Sequence, residues 1–338
     1  MGKTNEKVLS ASRVKKLEDC SWAYWCNYHL KLPSEGNSGA ARGTACHLIL
    51  ELLLDKKHKD LFKKLISSED IYTCPSVVKV VEKSLKKSGF YSQEDMDLCN
   101  EMIIVGLKAD FFGHGGKVIK GEQEFLIESK SPEYKIMGFI DKPIKYTKTN
   151  TIKIVDYKSS KNKFLDKELD GNIQSMAYTL AAQKLWPRIK KHLVEFLFLR
   201  FPEQPAQTIE PSKDQIKGFE YYLEHLYKLI NIFTEKEAKT NFAADQPMPS
   251  RDEGFKGPLN CGFAKRKGQL KKNGQLMWHC DYKFPFDYYA LIDKDGETCK
   301  TALKKKDLKA SRGQKIIKKS YEGCPAHKHL FSQDDFGF

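Results

Sequence analysis

The chain has 338 residues, of which 40% are hydrophobic, 12% aromatic and 30% charged; 58 Lys and Arg against 44 Asp and Glu give a formal charge of +14. This composition excludes a collagen, a low-complexity chain and a wholly disordered protein, and the length suffices for one large domain or a core with an appendage. The positive surplus suits a polyanion such as a nucleic acid, whose phosphates Lys and Arg neutralise, and it fits ordinary solubility charge equally well.

Ser10 and Ser12 precede apolar residues at helical spacing and predict a first helix. Residues 33–38 read as a loop, and 43–54 as a second helix with Leu48 and Leu52 facing a core. A polar, Lys-rich helical stretch follows to about Ala109. Short β-rich runs then occupy 117–128, 134–146 and 151–159, with the break at 148–150 joining the last two as a hairpin. Residues 172–185 predict a helix, 193–201 a strand and 213–236 a long helix. Beyond Ser250 the chain turns basic, Gly-rich and Cys-bearing: between Lys256 and Lys319 stand 17 Lys/Arg and 6 Asp/Glu. The expected division is therefore a core over 1–245 and a basic, Cys-containing C-terminal extension over 246–338. With no hydrophobic face beside it, such a tail reads as a nucleic-acid arm rather than a membrane anchor. The apolar runs at 48–54 and 194–199 are too short to cross a bilayer, and the N-terminus has no secretory apolar core. The expectation is a soluble, cytoplasmic protein whose nine cysteines are thiols or metal ligands rather than disulfides.

The chemistry concentrates around Asp141 and the strand ending Asp156-Tyr157-Lys158. Residues two apart on a strand share a face, so Asp156 and Lys158 project together. Two carboxylates make a hard oxygen site for Mg²⁺ or Mn²⁺, and a neighbouring Lys can orient a water or stabilise charge on a phosphate. Taken alone, an Asp-x-Lys is most simply a pair of solvated charges. Upstream, His47 and Glu51 lie four apart on one helical face; downstream, Gln174 and Tyr178 do the same.

Taken in order, these motifs resemble the RecB-like branch of the PD-(D/E)XK nucleases. The likeness runs over residues 8–202. It is carried by Ser10, Ser12, Cys20, Trp22 and Tyr24, then Arg42, Gly43, Thr44 and His47, then Gly138 and Asp141, then Asp156, Tyr157 and Lys158, and finally Gln174 and Tyr178. The resemblance implies an α/β restriction-endonuclease-like core, a mixed sheet flanked by helices, with an N-terminal helical region. It implies His47, Asp141, Asp156 and the Tyr157 carbonyl as ligands of Mg²⁺ or Mn²⁺, Lys158 as the catalytic lysine, and Gln174 and Tyr178 as positioning residues. Glu51 either supports the ligands from outside or is an exposed carboxylate, and Glu122 and Glu124 are candidates for a second metal. The implied activity is hydrolysis of DNA at duplex ends or on single strands, as an exonuclease in recombination, repair or phage DNA processing. The alternatives are a non-catalytic nucleic-acid-binding protein on the same fold and a structure-specific endonuclease. No Gly-x-x-x-x-Gly-Lys-Ser/Thr occurs, so unwinding would need a helicase or recombination partner.

Several RecB-like nucleases hold an iron–sulfur cluster with one N-terminal and three C-terminal cysteines. Cys20, Cys261, Cys280 and Cys324 stand in that order, but the close C-terminal spacing of the family is absent. A [4Fe-4S] cluster, a Zn²⁺ site in which His327 could replace Cys20, and unligated thiols remain open. Cys26, Cys46, Cys74 and Cys99 read as buried small residues. In the basic tail, Trp278, Tyr282, Phe284, Phe286, Tyr288 and Tyr289 either stack bases or build a small β-rich core.

Overall fold

Contact divides the chain into two compact units, residues 1–11 with 36–230 and residues 12–35 with 231–338. The computed structural model describes residues 7–119, 121–243 and 260–331. This grouping differs from the linear division at 245/246, because residues 12–35 are bonded to the end of the chain. Ser21 Oγ donates to the carbonyls of Ala238 and Asn241 at 2.9 and 2.6 Å, and Trp22 Nε1 donates to the Tyr321 hydroxyl at 2.9 Å.

In the first unit, four helices cover one face of a sheet: α1 (Ser38–Leu53), α2 (Lys59–Ser68), α3 (Pro75–Ser88) and α4 (Gln93–Lys108). Their starts follow local chemistry. Asn37 caps α1 by accepting the Ala40 N–H at 2.8 Å, and Ser92 caps α4 by accepting the Asp95 N–H at 3.0 Å. Pro75 opens α3, and Gly89, at φ +78°, closes it in the left-handed conformation. The Lys-rich helical stretch thus holds α2, α3 and α4. Ala45, Cys46, Ile49, Leu50 and Leu53 of α1 join Val81, Leu85, Cys99 and Met102 in one core with Val155, Tyr157 and Leu197 of the sheet. Leu48 and Leu52, expected to face a core, are 37% and 38% exposed. With the 45/46/49/50/53 stripe turned to the sheet, positions 48 and 52 fall on the flank of the helix.

The strands are β1 (Lys117–Val118), β2 (Gln123–Lys130), β3 (Glu133–Ile140), β4 (Lys142–Tyr146), β5 (Thr151–Lys158), β6 (Lys191–Phe198) and β7 (Ala206–Ile209). The main sheet has the order β1-β4-β5-β6-β7, with β5 parallel to β6 and the other neighbours antiparallel. β2 and β3 pair as a separate hairpin. The run expected over 134–146 is therefore two strands of different sheets, parted at Asp141. The β4–β5 hairpin is as expected, with Asn150 at φ +49° in its turn. The β5–β6 crossover carries α5 (Ile173–Leu185), capped by Asn172 on the Ser175 N–H at 2.9 Å. The expected long helix is α6 (Lys213–Ile232). The result is a mixed sheet flanked by helices.

In the second unit, β8 (Phe286–Ile292), β9 (Thr298–Ala302) and β10 (Lys315–Tyr321) form an antiparallel sheet in the order β10-β8-β9. Tyr282, Phe284 and Tyr288 are buried in this unit, whereas Trp278 is 56% exposed. The tail aromatics thus divide between core and surface. Among the described residues no helix is long and apolar enough to cross a membrane.

Candidate active site

β5 alternates strictly: Val155 and Tyr157 join the core under α1–α4, so Asp156 and Lys158 project from the other face. There α5 supplies Gln174 and Tyr178. Asp156 is buried, and its Oδ1 accepts from Gln174 Nε2 at 2.9 Å and from the Tyr178 hydroxyl at 2.7 Å. Gln174 Nε2 also reaches the Tyr178 oxygen at 2.7 Å, and Gln174 Oε1 accepts from Lys158 Nζ at 2.6 Å. Asp156 Oδ2 lies 2.6 Å from Lys158 Nζ in an ion pair but has no hydrogen bond of good angle. Burial raises the Asp156 carboxyl above its ordinary range; Lys158 opposes this and Asp141 reinforces it. Burial, and then the Asp156 charge, push the Tyr178 phenol up, so it remains a neutral donor.

The chain bend at Asp141 turns its carboxylate toward the end of β5. Asp141 Oδ2 accepts the Tyr157 N–H at 2.9 Å and lies 3.4 Å from His47 Nδ1. His47 Nε2 meets the Tyr157 carbonyl at 2.8 Å. Burial depresses the His47 pKa most, but the Asp141 hydrogen bond and the charges of Asp141 and Asp156 together outweigh it, so the imidazole is raised. The seven residues expected at the site thus form two bonded groups, His47, Asp141 and Tyr157 in one and Asp156, Lys158, Gln174 and Tyr178 in the other, joined through the backbone at the end of β5.

Arg42, Gly43 and Gly138 of the motifs pack the elements around the site. Arg42 is buried in an ion pair with Asp95, which also accepts from Ser92 Oγ at 2.6 Å, tying α1 to α4. A Cβ at Gly43 would lie 2.7 Å from Ser159 Oγ, so glycine lets α1 approach the end of β5. A Cβ at Gly138 would lie 2.6 Å from the ring of Phe125, its cross-strand neighbour.

Glu51 and Glu122 stand beside the site. The Glu122 carboxyl is raised first by partial desolvation, then by the charges of Glu51 and Asp141, with Glu124 contributing least. Lys142 was not singled out from the sequence. It is fully buried, donates to the Phe111 carbonyl at 3.1 Å, and lies over the rings of Phe111 and Tyr157 at 5.0 and 5.3 Å. Burial lowers its pKa to about 8. The sequence signal was a lysine directly after Asp141, at the start of an otherwise core-forming strand.

Among the described residues, no group of three His, Cys, Asp or Glu forms a ready-made metal site. The donor types nonetheless suit a hard divalent cation: the Asp141 carboxylate and the His47 imidazole meet at the Tyr157 peptide, next in sequence to Asp156, whose buried Oδ2 has no hydrogen bond. In the second unit, Cys20, Cys261, Cys280 and Cys324 line one small cavity together with His327 and Lys283. None of the four is in a disulfide. Burial pushes Cys280 up to about 11 and Cys324 up to about 12, and neighbouring cysteines of the set add to both shifts. Cys26, Cys46, Cys74 and Cys99 are buried, as expected.

The sequence profile of the PD-(D/E)XK nuclease superfamily matches residues 8–261. No curated protein matches the chain. Among solved structures, the crystal structure of "Putative exonuclease" from Eubacterium rectale is similar. It is 12% identical, covers 70% of this chain and 88% of that one, and has a TM-score of 0.41.

Proposed function

The chain belongs to the PD-(D/E)XK nuclease superfamily, and from that premise we propose that it is a RecB-like, Mg²⁺- or Mn²⁺-dependent deoxyribonuclease acting as an exonuclease at DNA ends. One observation carries the reading: Asp156 and Lys158 leave the same face of β5 and meet at 2.6 Å, while Asp141 and His47 converge on the adjoining Tyr157 peptide. His47, Asp141, Asp156 and the Tyr157 carbonyl would hold the cation. When bound, it supplies positive charge to a phosphodiester and acidifies a water.

The chain's own residues do the rest. Gln174 and Tyr178 fix one oxygen of Asp156, and its other, buried oxygen faces the Lys158 ammonium at 2.6 Å. Gln174 also holds the ammonium of Lys158, whose side chain is 22% exposed. From there Lys158 orients the attacking water and stabilises charge growing on the phosphate. Intact donors of this kind favour catalysis over a binding-only role, because a protein that only bound nucleic acid would not need Lys158 held between Asp156 and Gln174. Digesting linear duplex, circular single strand and nicked plasmid tests the reading. An exonuclease degrades the linear substrate and spares the circle, whereas cutting of the circle indicates an endonuclease.

The Cys20, Cys261, Cys280 and Cys324 cavity supports a structural soft-metal site, a [4Fe-4S] cluster or Zn²⁺, since both take thiolates. Elemental analysis and the visible spectrum of anaerobically purified protein separate iron, zinc and neither. Nothing observed speaks for a helicase partner, and none is proposed.

A further inference from the structure

The second unit carries a feature that the nuclease site does not use. Residues 261–280 leave and re-enter it at two of the cavity cysteines, the Cys280 N–H donating to the Cys261 carbonyl at 3.1 Å. Between them the chain forms a narrow antiparallel finger. The Met277 N–H donates to the Gln269 carbonyl at 2.8 Å and the Lys271 N–H to the Gln275 carbonyl at 2.7 Å, with Leu270 bridged to Leu276. Asn273 and Gly274 make its tip, Gly274 at φ +78°, a conformation that favours glycine. The root is close-packed: a Cβ at Gly262 would lie 2.2 Å from the Trp278 carbonyl, and the buried Lys283 donates to the Gly262 carbonyl at 2.9 Å.

What the finger displays is unusual for a solvated loop. Phe263 and Leu270 are each 56% exposed, Trp278 likewise 56%, and Leu276 70%. Leu276 and Trp278 are two apart and so share a side of their strand. Between Cys261 and Cys280 stand Lys265, Arg266, Lys267, Lys271 and Lys272, and no Asp or Glu. All five cations are exposed, and among the described residues Lys267 pairs with Glu35 at 3.1 Å. Exposed rings alone would suit many partners. Exposed rings among five cations, in a segment whose own sequence holds no acid, match a strand of phosphates whose bases are free to stack. Duplex DNA hides its base faces and offers the finger phosphates only.

We propose that the 261–280 finger is a single-strand DNA-binding element, with Trp278 and Phe263 stacking on unpaired bases while Lys265, Arg266, Lys271 and Lys272 contact phosphates. The choice of DNA rests on the nuclease reading above; the finger's chemistry adds the preference for unpaired bases.

The test is fluorescence anisotropy with the full chain, using labelled oligothymidylate and a duplex of equal length, without added divalent cation so that nothing is cut. Trp278→Ala weakens oligothymidylate binding about 5- to 150-fold, the range for one stacked base, and leaves duplex binding nearly unchanged. Trp278→Phe keeps most of the affinity. Replacing Lys265, Arg266, Lys271 and Lys272 by Gln lowers the slope of log affinity against log salt by roughly 2 to 3, at about 0.7 per phosphate contact. The thermal melt of each variant, close to that of the wild type, shows that the surface alone has changed.

Wild-type affinity of Trp278→Ala and Phe263→Ala for oligothymidylate, or equal losses on single strand and duplex, overturns the proposal. So does duplex cleavage by a protein with no oligothymidylate binding, which leaves the nuclease reading standing. Failure to bind or cut any DNA removes both.

Discussion

Tyr178→Phe removes one oxygen and little else. The Tyr178 ring packs edge-on to Phe125 at 6.5 Å, a contact phenylalanine keeps, while the hydroxyl's 2.7 Å bond to Asp156 Oδ1 is lost. A hydrogen bond to a charged group contributes about 1.5–3 kcal/mol, equivalent to roughly 10- to 150-fold in rate if it is needed only in the transition state. Gln174 Nε2 still holds the same oxygen at 2.9 Å, which places the expected loss near the lower end, about tenfold in kcat. Because the hydroxyl also helps to keep Asp156 ionised against burial, its loss raises that carboxyl further. A carboxylate must be ionised to hold a cation, so activity falls as pH drops through its pKa. The acid limb of the variant therefore moves to higher pH. Single-turnover cleavage of a linear duplex across a pH series, with DNA binding measured in parallel, reads both effects. A variant with wild-type kcat and an unmoved acid limb, or one whose loss lies entirely in DNA binding, would refute the positioning role.

Other variants test the supports and the metal donors. Gly138→Ala forces a methyl against Phe125 at 2.6 Å and should cost roughly 1–3 kcal/mol in denaturant unfolding, recovered in part by adding Phe125→Leu. Arg42→Met leaves Asp95 buried without its cation; a loss of roughly 3–5 kcal/mol is expected, and the Arg42→Met/Asp95→Leu pair should regain much of it. His47 has a raised pKa, and a cation competes with its proton, so apparent Mg²⁺ or Mn²⁺ affinity should rise as pH climbs through that value. His47→Gln should flatten this dependence in a metal titration. In metal-free protein the sign is opposite: the raised pKa contributes stability below the ordinary histidine value, lost as pH rises through the folded one.

The candidate site could be assembled from sequence because its residues lie in short, ordered motifs. Asp156-Tyr157-Lys158 needs only strand alternation to place two side chains together, and Gln174 and Tyr178 need only one helical turn. The partners that hold the motifs in place were not legible, since they come from distant chain. Asp95 pairs with Arg42 across two helices, and Ser159 explains Gly43 only once α1 meets β5. The bend at Asp141, which sends β3 and β4 to different sheets, leaves no break in the β-rich run. The grouping of residues 12–35 with 231–338 rests on hydrogen bonds spanning 217 to 299 positions, beyond any local pattern. A helical hydrophobic run likewise could not say which stripe of α1 faces the sheet, and Leu48 and Leu52 lie on its flank.

The most direct test of the central claim is cleavage by Lys158→Ala beside the wild type, in Mg²⁺ and in Mn²⁺, on an end-labelled linear duplex. The ammonium is held by Asp156 and Gln174 at 2.6 Å each, and its removal should abolish product while DNA binding and the thermal melt stay close to wild type. Near-wild-type cleavage by the purified variant would contradict the account.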